Sequence, residues 1–462
     1  MAVNAGSMAS SSSSKYISPV KFPGTLFAIS DGMTYGWTAP FIPYLISNGS
    51  HIHTDHDEAQ WLESSLLFGS FCGLPATIIL VDYVGRKKSL LLASFTVLIA
   101  WIAIAFGDSM IYIFIARFFK GMAGNMAFVA APMYIAEIAD QRIRGFLSSV
   151  IYIMMLFGCL IVYCVGPYLP YYTPCVIGVS VAALELLIFS FVPESPLYLV
   201  TKGKIEEARK SLQHFKPYLD VDKELKVITD ELESQKEQKA KLTDLVTVAS
   251  NRKAILIMTV LNAGQHLCAY SVILMNLHLI LEAAGSIYMD SSIAAILFAA
   301  LMLLAAAFAS SQIDKYGRKA LLIFSSVLTG VCLVAIAIYF HLKIIGVDVL
   351  AVSWIPIASV MVYAAVFKIG VGLVPIVITA EIFPTNLKTI GMTMSDAMFI
   401  IGGILAIQLY QWMVKFVGLY AAFYFFGSFA FFIAIFTILF VPETKGKSLE
   451  EIQSMLRGEK VI

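Results

Sequence analysis

Two charged signatures stand half the chain apart, Asp82-x-x-Gly85-Arg86-Lys87 and Asp314-x-x-Gly317-Arg318-Lys319. Residues of these types at this spacing suit a tight turn between two helices. The Asp accepts from backbone N–H groups at the next helix start, Gly permits positive φ, and Arg reaches an acidic partner. Two further pairs repeat in the same order. Glu137 and Arg144 in "PMYIAEIADQRIRG" answer Glu381 and Lys388 in "ITAEIFPTNLKTIG", and Glu194 in "VPESPLYL" answers Glu443 in "VPETKGKSLEEI". A solvated charged rim would explain any one of these. Their duplication favours a gate, with ion pairs between two related halves that form when one face shuts and break when it opens. Covalent chemistry has no such support. The sequence contains no phosphate-binding P-loop, no metal-ligand cluster and no nucleophile elbow, so neither enzymatic activity nor a cofactor or metal is expected.

The elements that carry these charges must cross a membrane. Hydrophobic residues make up 59% of the chain, charged residues 14%, and the mean hydropathy is +0.82, more apolar surface than a soluble fold can hide. Runs of about 20 apolar residues, enough to cross roughly 30 Å of hydrocarbon, fall near 22–47, 58–81, 89–107, 110–136, 146–168, 175–193, 253–281, 291–311, 320–342, 351–380, 390–414 and 418–441. The reading is an all-α membrane protein of twelve transmembrane helices in two six-helix bundles related by a pseudo-twofold axis. It divides into a disordered tail (1–21), an N-terminal bundle (22–193), a helical linker (194–252), a C-terminal bundle (253–441) and a C-terminal tail (442–462). In the linker, Leu225, Ile228 and Leu232 recur at helical spacing.

Lys and Arg concentrate in the loops on one side, at Arg86, Lys87, Lys88, Arg142, Arg144, Lys315, Arg318, Lys319 and Lys388. That asymmetry puts this side and both termini in the cytoplasm and accounts for the basic clusters without nucleic acid. The loop after the first span then lies outside, where Asn48-Gly49-Ser50 is a glycosylation sequon. The six cysteines read as packing residues, with Cys164 and Cys175 alone placed to pair. Oligomeric state is left open.

Arg117, Gly121, Pro132, Tyr134, Glu137, Arg144 and Gly145 match R-x3-G…P-x-Y-x2-E-x6-R-G, and "PESP", "AEIFP" and "PETKG" are intact. The chain thereby resembles the sugar porters of the major facilitator superfamily, the facilitated trehalose transporters of insects in particular, from about Phe22 to Arg457. The resemblance implies the major facilitator fold, a central solute pathway, alternating access and a small-sugar substrate of the glucose or trehalose class moving by facilitated diffusion at the plasma membrane. Departures stand at Ile78, Leu197 and Lys388, where the family has Gly, Arg and Arg. The family's sugar cage falls on Gln265, His266, Ser271, Tyr152 and Phe399, most of its polar positions being replaced, and its stacking Trp becomes Ile376. A solute sensor that does not transport, or a carrier of a small anion, are the alternatives. Two charges lie deep within spans, Asp31 and Lys368, about 15 and 20 Å from the basic face at 1.5 Å per residue. Each needs a partner or water, and they are expected to face the pathway and pair.

Overall fold

The computed structural model describes residues 25–52, 54–138, 141–216, 220–237, 247–383, 387–447 and 449–457. The side chains of Arg144, Asp314 and Lys388 lie outside the described residues, as do both tail ends and Ser448. The helices, numbered in chain order, are α1 Leu26–Gly36, α2 Thr38–Ile46, α3 His56–Tyr83, α4 Arg86–Phe106, α5 Met110–Ile138, α6 Gln141–Val165 and α7 Thr173–Phe191. The short helices α8 Pro196–Thr201, α9 Ile205–Phe215 and α10 Val221–Glu237 follow. The second half holds α11 Ala249–Leu267, α12 Tyr270–Ala284, α13 Ser291–Tyr316, α14 Arg318–Ile344, α15 Trp354–Ile369, α16 Val374–Ile382, α17 Lys388–Phe416, α18 Leu419–Phe440 and α19 Leu449–Arg457.

Among the described residues ten stretches are long and apolar enough to cross a membrane, and Val150–Val165 within α6 is a shorter one. With the α1–α2 pair they make twelve spans. Side chains such as Phe106, Phe191 and Leu439 lie mostly exposed on the outside of the bundles, where lipid rather than water suits them.

Three spans are broken, each for a legible reason. Pro40 has no N–H for the Gly36 carbonyl, and the first span breaks at Trp37. Pro375 likewise offers no N–H to the Val371 carbonyl, and the tenth span opens over Gly370–Leu373 between α15 and α16. The seventh breaks at Cys268–Ala269, with Ala269 at φ 69°. Discontinuous spans expose backbone inside a bundle, which a membrane tolerates where they line a cavity.

Within the N-terminal half α3 packs on α5, α4 on α5 and α7, and α1 on α6; within the other half α14 packs on α18 and α15, and α11 on α17. Gly32 and Gly158 have no room for a Cβ, so α1 and α6 touch backbone to backbone. The halves meet along α3–α17, α6–α13 and α2–α12. Leu199, Val200, Ala208, Leu212 and Leu225 form a separate small core, with Val221, Ile228 and Leu232 packed on it.

Candidate functional site

The repeated motifs build two matching knots on one face. In the first, Arg86 Nε donates to Glu137 Oε1 at 3.1 Å, and Ser195 Oγ donates to the other oxygen of Glu137. Glu194 accepts from the backbone N–H of Lys87, and Lys87 Nζ reaches Ser190 O at 3.0 Å. In the second, Arg318 Nη2 donates to Glu381 Oε1 at 2.8 Å and Thr444 Oγ1 to Glu381 Oε2 at 2.6 Å. Glu443 accepts from the N–H groups of Arg318 and Lys319, both at 3.0 Å, and Lys319 Nζ reaches Ile438 O at 2.9 Å. The correspondence runs partner by partner.

Gly85 and Gly317, at φ 110° and 88°, turn the chain so that α4 and α14 begin against those carboxylates. A helix N-terminus presents free N–H groups and partial positive charge, so a carboxylate is stabilised there. The expectation that Asp82 fills this role is corrected. Asp82 is exposed and only approaches Arg86 at 3.7 Å, while Glu194, brought back at the end of the sixth span, occupies the helix start. The expected ion pairs between halves belong to the state in which this face is shut, and among the described residues the pairs seen here lie within each half. Arg86–Glu137 and Arg318–Glu381 each tie a half to itself.

On the opposite face the hydrogen bonds do cross between halves. Gln408 Nε2 donates to Ser64 Oγ at 2.6 Å, Gln411 Nε2 to Gln60 O at 2.9 Å, and Tyr163 Oη to Leu274 O. Leu66, Leu67, Leu156 and Cys159 of the first half join the core of the second.

Between these faces lie the central residues. His266 Nδ1 and Ser271 Oγ are 2.8 Å apart across the break of the seventh span, and the His266 ring meets Phe399 at 4.2 Å. Gln265 Nε2 donates to Asn262 Oδ1 at 3.4 Å, and Asn262 Nδ2 to Thr379 Oγ1 at 3.4 Å. Gln265, His266 and Ser271 are buried, whereas Tyr152 and Phe399 are half-buried. Tyr152 lies edge-on to Phe128 at 5.7 Å. These residues form a polar layer behind aromatic rings.

Asp31 and Lys368 are 9% exposed each, and no ion pair joins them. Lys368 Nζ sits 4.4 Å from the centre of the Tyr270 ring, which stacks on Phe367 at 5.3 Å. Asp31 lies against Gly124 of α5, where the absent side chain leaves it room, and the cation whose field reaches it is Lys120. The two charges have different nearest neighbours, although both act on Cys159 and Asp31 also acts on Tyr270. Lys120 Nζ rests 2.8 Å above the Trp101 ring, and Arg117 donates to Leu62 O and Thr34 O.

Sequence reasoning missed Asp396, which is exposed although it lies eight residues inside α17 and acts across the interface on Tyr152. It also missed the buried Glu63, Lys120 and Glu185. A charge inside an apolar run was the available signal for all four. All six cysteines are free, so Cys164 and Cys175 do not pair.

A family model described as "Sugar (and other) transporter" matches residues 18–456. "Facilitated trehalose transporter Tret1" of Polypedilum vanderplanki is 30% identical over 405 residues, 87% of this chain and 80% of its own length. "Sugar transporter ERD6-like 6" of Arabidopsis thaliana is 30% identical over 404 residues, 84% of this chain and 80% of its own. Among solved structures, the inward-open xylose transporter XylE from E. coli superposes with a TM-score of 0.77 at 22% identity, over 94% of this chain and 99% of that one.

Proposed function

Because the chain belongs to the sugar (and other) transporter family, we propose that it carries a small sugar, of the glucose or trehalose class, between its two halves by alternating access and down the solute's gradient. One observation carries this reading beyond family membership. Described hydrogen bonds between halves gather at the face away from the motifs, while at the motif face each half is knotted to itself. Two rigid halves sealed at one mouth and separately braced at the other are what a rocking exchange requires. The motif face is the cytoplasmic one, with both termini there, and the membrane is the plasma membrane; the excess of Lys and Arg on that side supports this orientation. Bundles at 22–193 and 253–441 move about the linker 194–252.

Gln265, His266, Ser271, Tyr152, Phe399, Asp31 and Lys368 surround the solute in this reading. Three of them are polar groups already bonded to protein, so the sugar meets them only when the broken spans shift. The gate comprises both knots together with Arg144, Asp314 and Lys388. The second reading, a carrier of a small anion, draws on Lys368 having no carboxylate partner.

Counterflow of radiolabelled glucose and trehalose in proteoliposomes tests the proposal. Saturable counterflow of either is expected; its absence at any concentration would leave a solute sensor. Uptake of sugar acids alone, lost in Lys368→Met, would select the anion reading. The orientation has its own check. Asn48 is exposed in the loop between α2 and α3, so protein made in a eukaryotic secretory pathway should shift in mobility on deglycosylation, and Asn48→Gln should not.

A further inference from the structure

At the sealed face the two halves line a half-open cavity of about 700 Å³. One wall is aromatic, formed by Phe41, Tyr44, His51, Tyr168, Tyr171 and Tyr172. Its rings are connected: Tyr44 stacks on Tyr171 with centroids 5.6 Å apart, His51 tilts over Tyr171 at 4.5 Å, and Tyr44 Oη lies 3.3 Å from His51 Nδ1. Tyr168 and Tyr172 remain more than half exposed. Pro40, Pro43, Pro167 and Pro170 brace the same wall, each with a fixed φ, so the platform is ordered before anything binds. The facing wall comes from the second half and is polar, with His278, Glu282 and Ser292. Both ring nitrogens of His278 are without a hydrogen-bond partner in the protein. Behind it Tyr163 stands edge-on at 5.5 Å and bonds Leu274 O, and none of the central residues named above lines the cavity.

This combination recognises a particular chemistry. A pyranose ring has a C–H face that packs on an aromatic ring and a hydroxyl edge that seeks carboxylate and imidazole. The volume falls within the range of small-molecule sites. Among the described residues no Lys or Arg lines the cavity and Glu282 does, which disfavours an anion. We infer that this cavity is a second sugar site, for a solute of one or two pyranose rings, filled from the sealed side while the central pathway faces the other way. The inference rests on the sugar-carrier reading for its class of solute.

Equilibrium dialysis of radiolabelled trehalose, with glucose in a parallel series, against the full chain in lipid nanodiscs tests it. All proteins carry Asn48→Gln, so that no attached glycan occupies the cavity. Two sugars per chain are expected. Tyr44→Ala with His51→Ala should leave one, and Gln265→Ala with Lys368→Met should also leave one, the other. Tyr172→Ala, a change at the exposed rim that leaves the buried core alone, should weaken the second class at least fivefold. One sugar per chain, bound equally by the Tyr44/His51 and Tyr172 variants, overturns the inference while counterflow keeps the carrier reading. Neither binding nor counterflow overturns both.

Discussion

Lys368 stands at the edge of a broken span with its Nζ over the face of Tyr270. A cation over a desolvated ring is stabilised by up to about 2 kcal/mol, and its three donors remain for solute hydroxyls. Lys368→Met should therefore raise the half-saturation concentration for counterflow about tenfold, near 1.4 kcal/mol. Asp31→Asn should also damage transport. The nearest neighbours of the two charges differ, Tyr270 and Gly124, yet both act on Cys159, so the double variant should depart from the sum of the two by about 0.5 kcal/mol or more. Strict additivity would show that the two charges do not communicate. The presence of Asp31 and Lys368 was legible from hydropathy alone, and the same rule applied evenly would have named Glu63, Lys120, Glu185 and Asp396. Their partners were not legible. Which side chain a mid-span charge meets depends on the rotation of each helix about its axis and on small residues such as Gly124 that open space. Neither is written in one-dimensional spacing.

The duplicated knots show what sequence repetition does convey about elements. Repeated Asp-x-x-Gly-Arg-Lys marked the turns and an acidic partner for each Arg, but which Glu that partner is, and that the carboxylate on each helix start comes from a distant Pro-Glu, only folding decides. Burial pushes the Glu443 carboxyl up, yet the N–H groups of Lys445, Arg318, Lys319 and Thr444 outweigh it and hold the group below its ordinary 4.5. A carboxyl so depressed stabilises the fold above its unfolded value, and that contribution is lost as pH falls through the folded one. Glu443→Gln should cost about 1 kcal/mol near neutrality. Below pH 4.5 the melting temperatures of the two proteins should converge; parallel curves would remove Glu443 from the knot. The seventh span offers a second test. Ala269 holds φ 69°, a conformation costing a residue with a Cβ about 1–2 kcal/mol. The flexibility Gly adds to the unfolded chain offsets about 0.5–1 kcal/mol of this. Ala269→Gly should thus raise thermal stability slightly, whereas a loss would mean that the break is maintained by other contacts.

At the scale of the whole molecule, the position of the seal sets which mouth is open. The fold of twelve spans was readable from hydropathy and duplication, but its state was not, because alternative states share every helix and differ only in which inter-half contacts form. Here the bonds from Gln408 and Gln411 to α3 close one mouth. Each contributes about 0.5–1.5 kcal/mol net. Gln408→Ala with Gln411→Ala should then shift the opening equilibrium at that mouth about tenfold, since 1.4 kcal/mol is a factor of ten. Leu67 is buried between the halves on that side. A Leu67→Cys reporter, in a protein whose native cysteines have been replaced, should react with an impermeant maleimide about tenfold faster when both glutamines are gone. An unchanged rate would mean that the apolar contacts of Leu66 and Leu156 hold the mouth closed by themselves. The amides would then serve only to fix the register in which the halves meet.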